Sequence, residues 1–409
     1  MKNPRRSMWD FGDSPELKIH RIHAYPAKFP AFITTKAISY AKKAGVDVKT
    51  VADVFCGCGT TAFESRKAGL NFWGCDINPV ATLIAKVKSS TYNLKTVKSY
   101  REKILSNSEK NNRALIIKLP KRLDYWFDKE TKEHLARLLC SIRSVVKEGP
   151  YRDFFLCAFS NILKPASRWL TKSIKPQIDP HKSKSDVSIL FNKQIAFMID
   201  AVKAADLKNE PYAHIERINL LNITGHFQTA DVIVTSPPYV TSYEYADLHQ
   251  LSTLWLGYVN DYRDLRKGTI GSVYNATEYK ADERSLARTG RSIIRKLKKV
   301  DDHKARTSLR YFIDMNKAVL KCKECLRPGG MIFFVIGDTE YKGVKVMNSE
   351  YLRECLKEAG FSDVRRTKRR ITGKILTPYR NEKGCFSRPD SASRKIYAEE
   401  YVLTGRIYA

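Results

Sequence analysis

Val51-Ala-Asp-Val-Phe-Cys-Gly-Cys-Gly-Thr-Thr61 decides the fold. Its first half is an apolar run of strand length, which breaks at two glycines one residue apart and passes into a helical pattern through Ala68. Strand, glycine turn, helix is the parse that this order dictates. Gly57 and Gly59 let a ligand approach the backbone where a Cβ would collide, beside the unpaired N–H groups that open the helix. A second strand, Asn71 to Cys75, ends at Asp76, and Asn78-Pro79 opens another helix with proline in the first turn, where its missing N–H costs nothing. The β-α-β-α order implies a parallel sheet with right-handed crossovers.

Asp76 lies 17 residues beyond Gly59. A carboxylate at the end of a second strand can accept hydrogen bonds from both hydroxyls of a ribose, and Phe55 can pack on the same ligand. The third glycine of a dinucleotide fingerprint is missing, because Phe63 and Glu64 stand where it would fall, and Thr60-Thr61 replaces a Walker Lys-Ser/Thr. NAD and ATP are disfavoured. A cofactor without a pyrophosphate fits better.

Further along the chain, Thr235-Ser-Pro-Pro-Tyr239 follows the strand Asp231-Val-Ile-Val-Thr235 directly. Two prolines fix φ, remove two N–H donors and leave carbonyls free to accept hydrogen bonds. The Ser236 hydroxyl and the Pro237 carbonyl can hold an amine with two N–H groups, and Tyr239 offers a ring on which a planar base can stack. The carboxyl end of a strand is where open α/β sheets bind ligands.

Together, Asp53 to Thr61 and Thr235 to Tyr239 resemble the S-adenosylmethionine-dependent DNA amino-methyltransferases. Ser-Pro-Pro-Tyr, as opposed to Asp-Pro-Pro-Tyr or Asn-Pro-Pro-Tyr, is similar to the branch that methylates the exocyclic N4 amine of cytosine. Three more stretches fit: His23-Ala-Tyr-Pro-Ala-Lys-Phe29 resembles the N-terminal cofactor motif, Tyr245 to Gly257 the helix after the catalytic motif, and Leu326 to Gly337 the later sheet strand. The resemblance covers 20–90 and 213–380. It implies that Asp53, Phe55, Gly57, Gly59, Thr60 and Asp76 bind S-adenosylmethionine, with Lys28 and Phe29 helping at its methionine end. It also implies that Ser236, Pro237, Pro238 and Tyr239 form the catalytic set. The chain departs from the family before the catalytic strand, where an acidic residue near the adenine gives way to Asn219-Leu-Leu-Asn-Ile-Thr224, leaving Asn222 or Thr224 in its place. No Pro-Cys dipeptide occurs in the chain, which disfavours ring-carbon methylation through a covalent adduct. Adenine N6 methylation is the alternative within the enzyme class, and a catalytically silent nucleic-acid-binding protein the alternative outside it.

The remaining sequence sets the context. At roughly 150 residues per domain, 409 residues make two to three domains or one with a large insertion. The formal net charge of +30 has the sign expected for a polyanion partner, with double-stranded DNA leading. A restriction endonuclease acting on the same site is the further partner that the resemblance allows. The N-terminus has no apolar stretch of a secretory signal, and no run approaches the ~18 apolar residues of a membrane span. Nine cysteines without framework spacing suggest reduced thiols and an intracellular address; the resemblance implies a cytoplasmic, prokaryotic-type location, and no membrane partner is expected.

The expected architecture is α/β, a doubly wound Rossmann-like methyltransferase sheet with a mostly helical insertion. Residues 1–90 carry the cofactor motifs, 91–212 the insertion acting as a separate target-recognition unit, and 213–409 the Ser-Pro-Pro-Tyr motif and the remaining sheet. Periodicity predicts helices at 128–147, 151–163, 188–206, 244–258 and 349–359, one ending at Leu326, and a mobile basic connector at 164–186. Strands are expected at 215–221, 362–371 and 398–406. Trp126, Phe127, Phe154, Phe155 and Phe159 read as core of the insertion, and the basic stretch 260–304 rivals that insertion as the base reader. Cys322-x-x-Cys325 and the His20/His23 pair read as structural, with no metal assigned. Arg365 to Arg370 reads as a phosphate-contacting strip or a solvated strand face.

Overall fold

The computed structural model describes residues 7–12, 15–26, 28–110, 119–240, 245–272, 282–370, 379–380, 389–391, 394–395 and 400–408. Ala27 of the N-terminal motif, 273–281 of the basic stretch, and the ends of two expected strands at 371 and 398–399 lie outside them.

Helix α1 (Phe32–Lys43) leads into β1 (Thr50–Asp53), the glycine turn and α2 (Thr60–Lys67), then β2 (Asn71–Cys75) and α3 (Pro79–Lys88). Asn78 caps α3 by accepting from the Val80 N–H at 3.0 Å, with Pro79 at the first helical position as its sequence predicts. Four long helices follow: α4 (Leu94–Lys110), α5 (Lys129–Val145), α6 (Pro150–Ala166) and α7 (Val187–Ala205). The sheet resumes with β3 (Ala213–Glu216) and β4 (Ala230–Thr235), then come α8 (Tyr245–Leu248), α9 (Gln250–Trp255), α10 (Arg288–Lys298), α11 (Asp302–Cys325) and β5 (Leu326–Gly337). A hairpin of β6 (Thr339–Tyr341) and β7 (Val344–Val346) precedes α12 (Asn348–Glu358) and β8 (Ser362–Arg369). The short pair β9 (Tyr379–Arg380) and β10 (Arg394–Lys395) precedes the last strand, β11 (Glu400–Arg406).

Seven strands share one sheet in the order β3-β2-β1-β4-β5-β11-β8. The first five are parallel, and β11 runs antiparallel to both neighbours. The order reverses between β1 and β4, which opens a crevice at their carboxyl ends. This is the doubly wound, Rossmann-like sheet expected.

Alternation along the central strands fills both faces. Met331, Phe333 and Val335 of β5 join Val232 and Val234 of β4 under α1, while Ile332, Phe334 and Ile336 join Ile233 against α10, α11 and α12. Cys322 and Cys325 are buried in that second layer, and the eight described cysteines are unpaired. No described helix is long and apolar enough to cross a membrane.

The insertion departs from the picture of a separate unit. Its aromatic residues are core, as expected, but Leu135, Phe154, Phe159 and Phe191 belong to one continuous apolar cluster with Leu83 and Val87 of α3 and Leu254 and Trp255 of α9. Segment 164–186 is not a loose arm in this structure. Buried Trp169 stacks on Trp126 with centroids 4.9 Å apart, and the Lys182 ammonium donates to the Lys164 and Trp169 carbonyls, both at 2.9 Å. The expected helix 244–258 breaks into α8 and α9 at His249, where the Gln250 amide turns back to the Asp247 carbonyl at 2.9 Å and its oxygen accepts from Trp126 Nε1 at 2.9 Å. The expected strand 215–221 stops at Glu216, because the Asn219 side chain accepts from the Leu221 N–H at 2.9 Å and starts a turn that competes with the ladder. Residues 327–330 open β5, with a register shift opposite Ala230 and Val232.

Candidate active site

Both sequence-read turns lie at the carboxyl edge of the sheet. Asp53 ends β1, and its buried carboxylate accepts from Thr61 Oγ1 at 2.8 Å, Thr235 Oγ1 at 2.6 Å and the Phe55 N–H at 3.1 Å. One side chain thus ties the glycine turn, α2 and the last residue of β4. Burial pushes its carboxyl up to about 7, against the pull of those three hydrogen bonds. Expected as a cofactor ligand, Asp53 instead faces into the protein and aligns the two turns.

Gly57 and Gly59 both have positive φ, 47° and 73°. A Cβ on Gly57 would stand 3.5 Å from the Tyr25 ring, an ordinary contact, so the left-handed backbone is what demands glycine there. Gly59 answers to packing: a Cβ would come within 2.6 Å of the Ala85 Cα and Cβ in α3. The sequence assigns both glycines to ligand approach. The second serves the approach of a helix.

Asp76 follows β2, half-buried, with Oδ2 accepting from the Gly57 N–H at 2.9 Å and Oδ1 from the Asn78 N–H at 2.8 Å. Each oxygen keeps lone-pair capacity for a further donor. Burial pushes this carboxyl up to about 6, while the N–H groups of Asn78, Gly57 and Ile77 pull it down. Beside it Thr60 opens α2, and its buried Oγ1 has no partner among the described residues. A carboxylate with spare acceptor sites, an unsatisfied hydroxyl and a glycine turn at a helix start fit a ribose-bearing cofactor. Phe55, half-buried, flanks the turn.

Lys28 and Phe29 are directed elsewhere. The Lys28 ammonium is held by Glu16 at 2.7 Å and the His20 carbonyl at 2.8 Å, and Phe29 packs in the core under α1 with Trp9 and Ile33. The member of that stretch that reaches the glycine turn is Tyr25. Its ring stacks on His249 at 5.2 Å and lies parallel to Tyr245 at 6.2 Å, and burial raises its hydroxyl well above the ordinary tyrosine value. The signal was its position as the aromatic in His23-Ala-Tyr-Pro26. Buried His249 carries an Nε2 without a partner among the described residues.

In the second turn, Ser236 Oγ donates to the Val335 carbonyl at 2.9 Å. That bond uses its single proton, and the oxygen keeps acceptor capacity for a further donor. From α11, Tyr311 donates to the Pro238 carbonyl at 2.8 Å and Lys304 to the Val240 carbonyl at 3.0 Å, which fixes the loop on both sides of Tyr239. The Tyr239 hydroxyl donates to Glu400 Oε1 at 3.2 Å, and Glu400 pairs with the buried Arg369 guanidinium. Burial raises the Tyr239 hydroxyl well above its ordinary value. Glu400 and Arg369 were missed because they arrive from the last strands, far along the chain. Arg369 also answers the question posed by 365–370: it is structural, and Arg366 lies over the Tyr401 ring at 4.5 Å, while Arg365 and Lys368 are exposed.

No acidic residue takes the place of the one missing from 219–224 within that segment. Asn222 and Thr224 are exposed, whereas Glu216 ends β3 next to Asp76, whose N–H donates to the Glu216 carbonyl at 3.2 Å. The Glu216 carboxylate accepts from Trp73 Nε1 at 2.7 Å and meets His226 Nε2 at 3.0 Å and His214 Nε2 at 3.1 Å. His20 and His23 are engaged within the protein, with Glu64 and Ser160, both at 2.8 Å.

Comparison with known proteins agrees with this geometry. Residues 2–87 match the family profile described as DNA methylase, N6_N4_Mtase. The chain is 22% identical over 368 residues to the Type II methyltransferase M.MvaI of Kocuria varians, an alignment covering 83% of this chain and 81% of that one. It is 24% identical over 392 residues to the Type II methyltransferase M.AvaI of Nostoc sp. strain PCC 7120, covering 84% and 79%. A shorter match, 29% identical over 120 residues, joins 29% of this chain to 22% of the Type II methyltransferase M.MjaII of Methanocaldococcus jannaschii. These matches support a DNA methyltransferase of the N4/N6 amino type, with S-adenosylmethionine as its cofactor.

Proposed function

We propose that the protein methylates the exocyclic N4 amine of cytosine in duplex DNA, in the manner of a restriction-modification methyltransferase with a partner endonuclease for the same site. The observation that carries this reading is the shared anchor of the two turns: Thr235, the residue before Ser236, hydrogen-bonds Asp53, whose carboxylate also receives the Phe55 N–H of the cofactor turn. Cofactor turn and amine-holding turn are thereby neighbours on one sheet edge. The restriction-modification setting rests on the relatives being Type II methyltransferases.

S-adenosylmethionine supplies an electrophilic methyl on a sulfonium. Asp76 would accept from the ribose hydroxyls, with the Gly57 turn, Phe55 and Thr60 around the rest. Amine and methyl meet only when the target base leaves the stack, because a paired amine inside the duplex is out of reach. The amine is a poor nucleophile while its lone pair is delocalised into the ring. One of its N–H groups donates to Ser236 Oγ and the other to the Pro237 carbonyl, which favours a pyramidal nitrogen. Positioning supplies much of the rate. The N–C bond forms as the S–C bond breaks, and the extra proton on nitrogen leaves to solvent.

Mass spectrometry of nucleosides from DNA of cells expressing the protein tests the reading. The expected product is N4-methylcytosine. N6-methyladenine would assign the same pair of acceptors to the other amine, and 5-methylcytosine would overturn the mechanism. Isothermal titration with S-adenosylmethionine separates the enzyme from a silent nucleic-acid-binding protein.

A further inference from the structure

Part of the chain's excess positive charge lies outside the active site on one rigid helix face. Around α10, Thr289, Gly290, Ile293, Ile294 and Leu297 are buried on one side, while Arg288, Arg295, Lys296 and Lys299 are exposed on the other, with Arg291 half-buried at the margin. Spacings of three and four residues keep the basic positions on one stripe, and Arg284 joins them across a shallow groove. Among the described residues, the acid paired on this side is Glu283, with Arg295 at 3.2 Å and Lys298 at 2.8 Å. Arg288, Arg291, Lys296 and Lys299 make no ion pair among those residues.

The helix is held firmly. The Thr289 N–H and hydroxyl both bond the Glu354 carboxylate of α12 at 2.8 Å, and the apolar side packs on α11 and α12. A backbone fixed in this way loses little further freedom when the face meets a rigid polyanion. The carboxyl end of the helix leads to the catalytic loop. The carboxyl end of α10 runs through Val300 to Asp301, the N-cap of α11, and one turn later Lys304 bonds the carbonyl of Val240, the residue after Tyr239. The stripe is about 15 Å long at ~1.5 Å per residue, an axial length over which one DNA strand presents about four phosphates at ~3.4 Å each.

We propose that the outward face of α10 grips the phosphodiester backbone of the duplex beside the base being methylated. This rests on the reading of DNA as substrate, and it gives part of the stretch 260–304 a backbone-positioning role and not the base-reading role that was the rival to the insertion. Phosphate contacts of this kind fix orientation on the duplex and carry no sequence information.

The test is the salt dependence of binding to a 30-base-pair duplex by fluorescence anisotropy, using the full-length chain with Arg288→Gln, Arg295→Gln and Lys299→Gln combined. Each phosphate contact contributes about −0.9 to the slope of log K against log salt, so the slope should flatten by about 2 to 3 and affinity at 0.1 M salt should fall on the order of 100-fold. The loss should be equal for duplexes of unrelated sequence, and S-adenosylmethionine affinity should not change. If the triple variant does not fold, Arg288→Gln alone should flatten the slope by about 1. A folded variant with the wild-type slope and affinity overturns the proposal. Failure of the wild-type chain to bind duplex DNA at all overturns the function proposed above, so the two failures are told apart.

Discussion

Asp76 is the side chain whose chemistry is most directly measurable. Charge-assisted hydrogen bonds from two ribose hydroxyls are worth about 1.5–3 kcal/mol each, so Asp76→Ala should weaken S-adenosylmethionine at least tenfold in isothermal titration. Because burial raises this carboxyl to about 6, it is ionised at pH 7.5 and mostly neutral at pH 5. A neutral carboxyl is the weaker acceptor. Affinity should therefore fall as pH drops through 6, and Asp76→Asn should flatten that profile; an unchanged profile in a folded variant would remove Asp76 from the site. Ser236 provides the complementary case. Its hydroxyl proton is committed to Val335, so Ser236→Ala removes an acceptor for the amine and touches nothing around Asp76. Turnover should fall about tenfold or more, the worth of one hydrogen bond of ~1.5 kcal/mol, with cofactor affinity retained. Loss of cofactor binding in Ser236→Ala would contradict the division of labour between the two turns.

At the scale of elements, α6 and α7 of the insertion reach the cofactor edge through the strap that carries Tyr25. Gln194 Nε2 donates to the Ile22 carbonyl at 2.7 Å, and its oxygen accepts from Asn161 Nδ2 at 2.8 Å. Asn161 Oδ1 in turn accepts from the Ala24 N–H at 2.9 Å. Asn161→Ala breaks this chain at its middle and frees the segment before Tyr25. The expected outcome is a KM for S-adenosylmethionine raised several-fold with kcat changed less, read by steady-state methylation; an equal fall in kcat with KM untouched would show that the strap serves something else. The sequence marked this segment but chose Lys28 and Phe29 from it. The reason is physical: periodicity and motif spacing locate a strap, whereas which of its side chains faces the site depends on partners such as Glu16 and Trp9 that meet it only in the folded chain. Strand, turn and helix order around Asp53 to Asp76 was legible because each step is local. The break at His249 was not, since it depends on Gln250 finding Trp126 across 124 residues.

For the whole molecule, sheet order and the pairing of the two turns follow from local patterns read in sequence, but the unity of the core does not. Charge and the change in periodicity make 91–212 look like an inserted unit, and only packing reveals that its apolar faces close on α3 and α9. Phe159 marks the seam: fully buried in α6, with its ring 5.8 Å from that of Trp255 in α9. Truncating such a phenylalanine costs about 3–5 kcal/mol. If sheet and insertion share one core, that loss belongs to the entire chain. Urea unfolding of Phe159→Ala should then remain a single transition with its midpoint lowered, seen together by far-ultraviolet circular dichroism and by fluorescence of tryptophans in the sheet layer (Trp9, Trp73) and in the insertion (Trp126, Trp169). A variant in which the insertion melts first, leaving the sheet and S-adenosylmethionine binding intact, would instead mean that α4 to α7 form a domain of their own docked on α3.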